Sequence, residues 1–208
     1  VKQADVQLFS SGARFTDNTV LTVATAAALL GDGDYATAYR SLHRAYPNAG
    51  YAGSFYRWLF NDGAGCYASW GNGAAVRVSP VGLALESVGE VLAEAARSAA
   101  VTHDHPEGIK GAQAAALAVF LARSGASKEN IKAEIQDRFG YNLERPLDTI
   151  RAGYRFDVSC QGSVAESLLA FLASADFESA VRNAVSPGGD ADTMACIAGG
   201  IAQAFYGT

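Results

Sequence analysis

The sequence is poor in charged residues and cysteine, and it has no long uninterrupted apolar run. Only 18% of its 208 residues are charged and half are hydrophobic, which excludes intrinsic disorder, a state of low hydrophobicity and high charge. No apolar stretch reaches the roughly 18 residues of a membrane span, and Val1 opens no signal peptide, so we expect neither feature. A net charge of −5 without Lys/Arg clusters argues against nucleic acid as the main partner.

The three cysteines are an odd number and lie far apart, with no C-x-x-C pair: Cys66, Cys160 and Cys196. Their spacing speaks against both a disulfide framework and a thiolate zinc site. We expect them to be small buried residues of a protein in the reducing cytoplasm.

Small residues with helical periodicity are abundant, since the chain contains 41 Ala and 22 Gly. The pattern predicts helices at 19–30, 34–46 (with Asp34 as N-cap), 51–60, 81–99, 107–123, 127–139, 146–154, 163–174, 177–185 and 193–205. Residues 61–80 are rich in Gly and turn formers and predict a loop. No alternating strand pattern, repeat or linker is present, so we predict one compact all-α domain over residues 1–208.

Two local signals predict helix ends. The sequence Ser-Val-Ala-Glu at 163–166 fits a capping box, in which Ser163 accepts an early N–H and Glu166 reaches back to the cap. Gly125 follows a predicted helix at the position where a left-handed residue often ends it.

Two polar clusters stand at the starts of apolar helices near opposite ends of the chain. Residues 15–22 read FTDNTVLT and residues 186–195 read SPGGDADTMA. N-capping explains one oxygen-bearing side chain per helix, whereas each cluster has three on its opening turn. If the two helix starts meet, these hard oxygen ligands suit Mg²⁺, Mn²⁺ or Ca²⁺ better than zinc. From spacing alone, capping and metal binding both remain open.

Four elements in one order resemble the ADP-ribosylglycohydrolase family, which includes the dinitrogenase-reductase-activating glycohydrolases. Residues 15–22 resemble its F-T-D-D-T-x-[ML]-T element, and residues 69–77 (SWGNGAAVR) resemble its S-x-G-N-G-[SA]-[AM]-x-R loop. Residues 102–106 (THDHP) match its T-H-x-H-P turn, and residues 188–207 resemble its closing G-G-D-x-D-T…G element. The resemblance covers nearly the whole chain.

This resemblance implies an all-α fold with a binuclear Mg²⁺ centre in a cleft, for which Mn²⁺ is an alternative ion. It implies hydrolysis of the glycosidic bond between ADP-ribose and a modified protein side chain. The implied metal ligands are Thr16, Asp17, Asn18, Asp190, Asp192 and Thr193. The implied catalytic residues are Asp17, Asp190 and Asp192, and the implied substrate-binding residues are Ser69, Gly71, Asn72, Gly73 and His103.

Several residues around the Gly-rich loop have two interpretations. The loop either presents backbone N–H groups to a diphosphate or ribose or is an ordinary turn. Tyr67 or Trp70 either stacks on adenine or packs under the loop. For His105 we expect a structural role, and for His43 a surface or interhelical position.

The sequence departs from the family pattern in two places. Asn18 stands where the family usually has a second Asp, and an amide oxygen brings no charge, so we expect weaker binding of two dications. Family members also usually open with a helix that carries a G-x-x-x-G-D-like element. The given sequence begins at Val1, just past where that element would lie, so the element is apparently lacking, and it is either only unobserved, for example trimmed, or truly absent. If it is absent, no residue from 1 to 12 is a convincing substitute for its carboxylate, and Asp5 is weakly placed for that role.

Three hypotheses follow. The first is a Mg²⁺-dependent ADP-ribosylhydrolase, expected to be a cytoplasmic monomer, whose partner is ADP-ribose or an ADP-ribosylated protein. The second is a catalytically impaired relative that binds ADP-ribose or a protein partner, for example as an inhibitor of an ADP-ribosyltransferase. The third is a structural homologue like the family-related crystallins, against which the retained cluster at 190–193 argues.

Overall fold

The computed structural model describes residues 11–61 and 63–207; Asp5 lies outside them. Within these ranges, regular structure is helical and the one β-type contact is an isolated bridge between Gly71 and Ser159. The helices are α1 Asp17–Leu30, α2 Tyr35–Ala45, α3 Gly53–Leu59, α4 Gly73–Val76, α5 Ser79–Ala84, α6 Val88–Ala100, α7 Pro106–Arg123, α8 Lys128–Phe139, α9 Leu147–Gly153, α10 Cys160–Leu172, α11 Phe177–Val185 and α12 Ala191–Tyr206. The predicted all-α class is confirmed.

Two predicted helix ends are confirmed by their hydrogen bonds. The Asp34 side chain accepts the Thr37 N–H and so begins α2. At the end of α7, Gly125 takes a φ of +81°. Its N–H donates to the Ala122 carbonyl, and the Ala126 N–H donates to the Leu121 carbonyl. This is the Schellman arrangement, which satisfies the last carbonyls of a helix.

Two other predictions are wrong. The predicted helix at 81–99 is two helices, because Ser87 accepts the Glu90 N–H and begins α6 anew after α5 has ended. The capping box at 163–166 does not form. Helix α10 begins one turn earlier, where Ser159 accepts the Gly162 N–H, and the Ser163 hydroxyl donates to the Ser159 carbonyl inside the helix. Glu166 pairs with Arg145 instead.

Buried apolar side chains form two clusters. The larger one surrounds α7, and the smaller one joins α1, α2 and α3. Small residues allow the helices to approach closely, as at Gly111 on α7, where an added Cβ would lie 2.4 Å from the Cys160 Sγ on α10. At this contact between α7 and α10, a small residue is therefore required for the two helices to pack closely.

The three cysteines are free, as the spacing predicted, but they are not uniformly buried. Cys160 is buried, Cys196 is half-buried and Cys66 is exposed, so the expectation of burial is wrong for Cys66. Among the described helices, none is both long and apolar enough to cross a membrane.

Candidate functional site

The two polar clusters meet where the N-termini of α1 and α12 come together. The Thr16 hydroxyl donates to Asp192 Oδ2 at 3.3 Å, across 176 positions of sequence. The Asn18 amide donates to the same oxygen at 3.2 Å and to Thr193 Oγ1 at 3.3 Å. Oxygen-bearing side chains from both ends of the chain therefore form one polar cluster.

Capping does not explain this cluster. Thr16 and Asp190 occupy the N-cap positions of α1 and α12, but neither side chain accepts a capping hydrogen bond from a backbone N–H of its own helix. By contrast, Ser87 and Ser127 both cap their helices through their hydroxyl groups. The Asp190 carboxylate is instead directed at the Asn72 amide, 2.7 Å away.

The carboxylates of the cluster lie close enough that each negative charge disfavours ionisation of its neighbours. Burial raises the pKa of Asp17 to about 6, and the charges of Asp192 and then Asp190 add to the rise. Burial, with a contribution from Asp192, also raises the pKa of Asp190, although the hydrogen bond from Asn72 opposes this. A cation among these groups would offset both the lost hydration and the repulsion.

The residues fit a divalent cation by their chemistry, since carboxylate, hydroxyl and amide oxygens are ligands of Mg²⁺. Over residues 11–61 and 63–207, no three His, Cys, Asp or Glu side chains already converge as a ready metal site. One oxygen of each carboxylate is already engaged: Asp190 Oδ2 accepts from Asn72, and Asp192 Oδ2 accepts from Thr16 and Asn18.

The Gly-rich loop is held against both the polar cluster and the start of α10. The Asn72 backbone N–H donates to the Val158 carbonyl at 2.8 Å, and the Cys160 N–H donates to the Trp70 carbonyl at 3.0 Å. The Asn72 side chain, which is buried, donates to Ser163 Oγ at 3.1 Å as well as to Asp190. The loop is therefore ordered and fixed relative to Asp190.

His103 lies beneath this loop. It is buried, and its Nδ1 is 2.7 Å from Thr102 Oγ1. Burial, and to a lesser extent the charge of Arg77, lower the pKa of His103 to about 3. A Cβ added at Gly73 would lie 3.2 Å from His103 Nε2, so a glycine at this position permits close approach of the loop to the imidazole.

Arg77 and Thr102 were not predicted as site residues, although Arg77 ends the motif at 69–77 and Thr102 begins the motif at 102–106. Arg77 is fully buried and donates from Nη2 to Thr102 Oγ1 at 2.9 Å and to the Ser98 carbonyl. Its guanidinium lies 4.1 Å from the centre of the Tyr39 ring. An arginine within the apolar run AAVRV was the signal for a buried cation, but the sequence does not tell what that cation touches.

The remaining predicted residues divide by position. Ser69 Oγ accepts the Gly71 N–H at 3.1 Å within the loop. Tyr67 packs against the His103 ring, whereas Trp70 is 57% exposed beside His105. Trp70 is therefore free to stack on a ligand, and Tyr67 is partly used in packing.

The two other histidines lie in structural positions. His105 begins α7 by accepting the Glu107 N–H. His43 is buried among the rings of Tyr51, Tyr56 and Phe60, between α2 and α3.

A cleft of about 340 Å³ joins these groups. With the exception of Thr16, which touches it through Asp192, every predicted site residue lines this cleft: Asp17, Asn18, Ser69, Gly71, Asn72, Gly73, His103, Asp190, Asp192 and Thr193. One end is acidic and the other carries the loop and His103. The arrangement suits a ligand that brings hydroxyl groups to a cation and further oxygen acceptors to the loop.

Comparison with known proteins gives a consistent result. A family model described as ADP-ribosylglycohydrolase matches residues 2–208. ADP-ribosylhydrolase ARH3 of Mus musculus is 28% identical, with 93% of this chain and 70% of the mouse protein covered. ARH3 of Homo sapiens is 31% identical, with 67% of this chain and 51% of the human protein covered. This chain thus spans about half of the human protein.

One solved structure is similar in both sequence and fold. It is described as an ADP-ribosylglycohydrolase-related protein complex, and it is 30% identical to this chain with a TM-score of 0.74. The match covers 93% of this chain and 72% of the other. A protein of Archaeoglobus fulgidus described as uncharacterized is also 31% identical over 62% of this chain.

Proposed function

The chain belongs to the ADP-ribosylglycohydrolase family, and on that premise we propose that it is a Mg²⁺-dependent ADP-ribosylhydrolase. It would cleave the glycosidic bond between ADP-ribose and a modified protein side chain. The observation that carries the proposal is the meeting of the α1 and α12 N-termini. There, Thr16 and Asp190 leave their own helices uncapped and contribute to one acidic cluster in the cleft.

The cation would be held by oxygens from both helix starts. Asp17 and Asp190 carry raised pKa values because burial and neighbouring carboxylates disfavour their charges, so a cation would stabilise this cluster. Thr16, Asn18, Asp192 and Thr193 would complete the ligand set. When bound, Mg²⁺ would supply positive charge that polarises the ribose hydroxyls and acidifies water.

The other end of the cleft supports an ADP-ribose orientation. Ser69, Gly71 and Gly73 form a turn that a diphosphate can approach closely, and His103 lies beside it. With the diphosphate at this turn, the distal ribose would reach the acidic cluster and the adenine would lie toward the exposed ring of Trp70. Asn72 hydrogen-bonds to Asp190 and thereby fixes the distance between the two ends.

The carboxylates would also serve the reaction itself. Cleavage of a glycosidic bond passes through an oxocarbenium-like transition state, which nearby negative charge stabilises. Asp17, Asp190 and Asp192 line the cleft and can orient a water toward the anomeric carbon or accept its proton. The water oxygen joins the sugar, and the side-chain heteroatom leaves with a proton.

Asn18 favours a second candidate function, ADP-ribose binding without turnover. Its amide N–H₂ donates to Asp192, so a neutral donor occupies the space beside a carboxylate that a cation would otherwise fill. An amide also adds no negative charge to hold a second dication. Under this alternative the cleft would still bind ADP-ribose through the loop and His103.

The deciding experiment is a release assay on ADP-ribosyl-arginine and ADP-ribosyl-serine proteins, with Mg²⁺ and with EDTA. We expect the wild type to release ADP-ribose in Mg²⁺ but not in EDTA. Asp192→Asn should lose this release, and Asn18→Asp should release ADP-ribose equally fast or faster. Asp137→Asn, an exposed change on α8, is the matched control and should not alter release.

The outcomes separate the candidates. Absence of turnover in both the wild type and Asn18→Asp, with ADP-ribose still bound, would contradict the enzyme and favour the binding function. Failure of the wild type to bind either ADP-ribose or Mg²⁺ would contradict both.

A further inference from the structure

Three buried residues under the Gly-rich loop form a continuous hydrogen-bond chain. Arg77 Nη2 donates to Thr102 Oγ1 at 2.9 Å, and Thr102 Oγ1 lies 2.7 Å from His103 Nδ1. Arg77 and Thr102 are fully buried, and His103 is 5% exposed. The guanidinium is faced by the rings of Tyr39 and Phe55, and its Nε and Nη1 have no hydrogen-bond partner.

The chemistry of the donors sets the direction of this chain. A guanidinium can only donate, so it takes one lone pair of the Thr102 hydroxyl. That bond polarises the hydroxyl and strengthens its own donation to the next acceptor, which here is Nδ1. The reverse arrangement would direct two N–H donors, the charged guanidinium and the imidazole N–H, at the same oxygen.

Tyr67 borders the same hydroxyl, since contacts with Ser54 and Thr102 oppose the rise that burial causes in the pKa of Tyr67. The phenol has Ser54 as a second polar neighbour, so the Thr102 proton remains available to Nδ1.

We infer that Arg77 and Thr102 are positioning residues that hold His103 as the neutral tautomer with its proton on Nε2. That nitrogen faces the loop, because Cβ atoms added at Gly73 and Gly71 would lie 3.2 and 3.7 Å from it. His103 thus offers the cleft an uncharged N–H donor of fixed direction. The inference rests on the proposed function in one respect, that an oxygen of ADP-ribose receives this hydrogen bond.

The pKa of His103, lowered to about 3 by burial and by Arg77, supports a neutral ring at physiological pH. The charge of Arg77 then acts through Thr102 rather than by contact with ligand. Loss of the Thr102 hydroxyl should release the tautomer and weaken the hydrogen bond from Nε2, while leaving the ring in place.

The test measures the ring nitrogens of His103 by ¹⁵N NMR at neutral pH in the ligand-free chain. The chain has three histidines, and the signal missing from His103→Asn identifies the one in question. We expect the proton on Nε2 in the wild type and in Thr102→Ser, and a shift toward Nδ1 in Thr102→Val. ADP-ribose affinity, measured by calorimetry, should fall about ten-fold in Thr102→Val, the effect of one charge-assisted hydrogen bond. It should stay near wild type in Thr102→Ser.

A proton on Nδ1 in the wild type would overturn the inference, and this measurement needs no variant to fold. Equal spectra for Thr102→Val and the wild type, or equal losses in Thr102→Ser and Thr102→Val, would also overturn it. If the wild type carries its proton on Nε2 but binds no ADP-ribose, the hydrogen-bond chain stands and the proposed function fails.

Discussion

At the scale of single residues, Asn72 connects the parts of the candidate site. Its backbone is held by the Val158 carbonyl, and its side chain donates to Ser163 and Asp190. One amide side chain therefore holds the Asp190 carboxylate, the Gly-rich loop and the start of α10 together. Sequence motifs predicted residues that the structure brings together along one cleft, because oxygen-bearing side chains and glycines cluster locally in the sequence. They did not predict this bond, since its partners lie 91 and 118 positions away.

The Asn18→Asp substitution tests the balance of charge in the acidic cluster. A fourth carboxylate beside Asp17, Asp190 and Asp192 adds repulsion, so we expect a lower melting temperature in EDTA. With Mg²⁺ the same carboxylate becomes a ligand, and affinity should rise about ten-fold, as for one strong charge-assisted contact. Thermal melts and Mg²⁺ calorimetry measure the two effects.

The control for this substitution is Asn130→Asp, an exposed residue in the first turn of α8. An acid there interacts favourably with the helix dipole, so stability should hold or rise slightly without any dependence on Mg²⁺. If Asn18→Asp behaves like Asn130→Asp in EDTA and in Mg²⁺, the cluster does not bind the ion.

His103 predicts a dependence of stability on pH. The unfolded chain binds a proton at this residue below about pH 6.5, whereas the folded chain does not until about pH 3. Acidification through this window therefore favours the unfolded state, with a limiting slope of about 1.4 kcal/mol per pH unit. In His103→Asn, urea melts between pH 7 and pH 4 should lose this part of the slope. An unchanged slope would mean that His103 titrates normally in the folded protein.

At the scale of helices, the ends show what local sequence can and cannot specify. Asp34 and Gly125 were predicted correctly because cap residues act on their own helix through nearby N–H and carbonyl groups. The capping box at 163–166 failed although its pattern was correct. Glu166 pairs with Arg145, 21 positions away, and Ser159 already caps α10 one turn earlier. Where two local patterns compete, distant contacts influence which one forms.

The contact between α7 and α10 yields a prediction about packing. Gly111→Ala would bring a Cβ to 2.4 Å from the Cys160 Sγ, so the helices must separate. We expect a loss of about 1–3 kcal/mol of unfolding free energy, the usual cost of overpacking, measured by urea denaturation. Gly89→Ala on α6 is the matched control, because nothing lies within 4 Å of its added Cβ. It should gain about 0.5–1 kcal/mol from helix propensity, and equal effects at the two sites would contradict the packing argument.

At the scale of the whole molecule, the cleft is lined by helices that belong to both apolar clusters. Leu21 and Phe55 come from the smaller cluster, whereas Gly73 and Thr193 come from α4 and α12, which pack in the larger one. Arg77 stacks on Tyr39 of the smaller cluster while it hydrogen-bonds to Ser98 on α6. A ligand that spans the cleft would contact both sides, so binding should stabilise the folded chain as a unit.

The charge of Asp17 affects both the stability of the folded chain and ligand binding at the site. Its charge is disfavoured in the folded chain by burial, Asp192 and Asp190. Asp17→Asn removes the charge, so the melting temperature in EDTA should rise, by about 2–4 °C for each kcal/mol of relieved repulsion in a chain of this size. The same variant should lose the rise in melting temperature that Mg²⁺ with ADP-ribose gives the wild type, because a ligand stabilises only the state that binds it. Asp137→Asn should change neither melt. If Asp17→Asn lowers the melting temperature in EDTA, the carboxylate stabilises the fold, and its burial beside two other acids serves structure rather than binding.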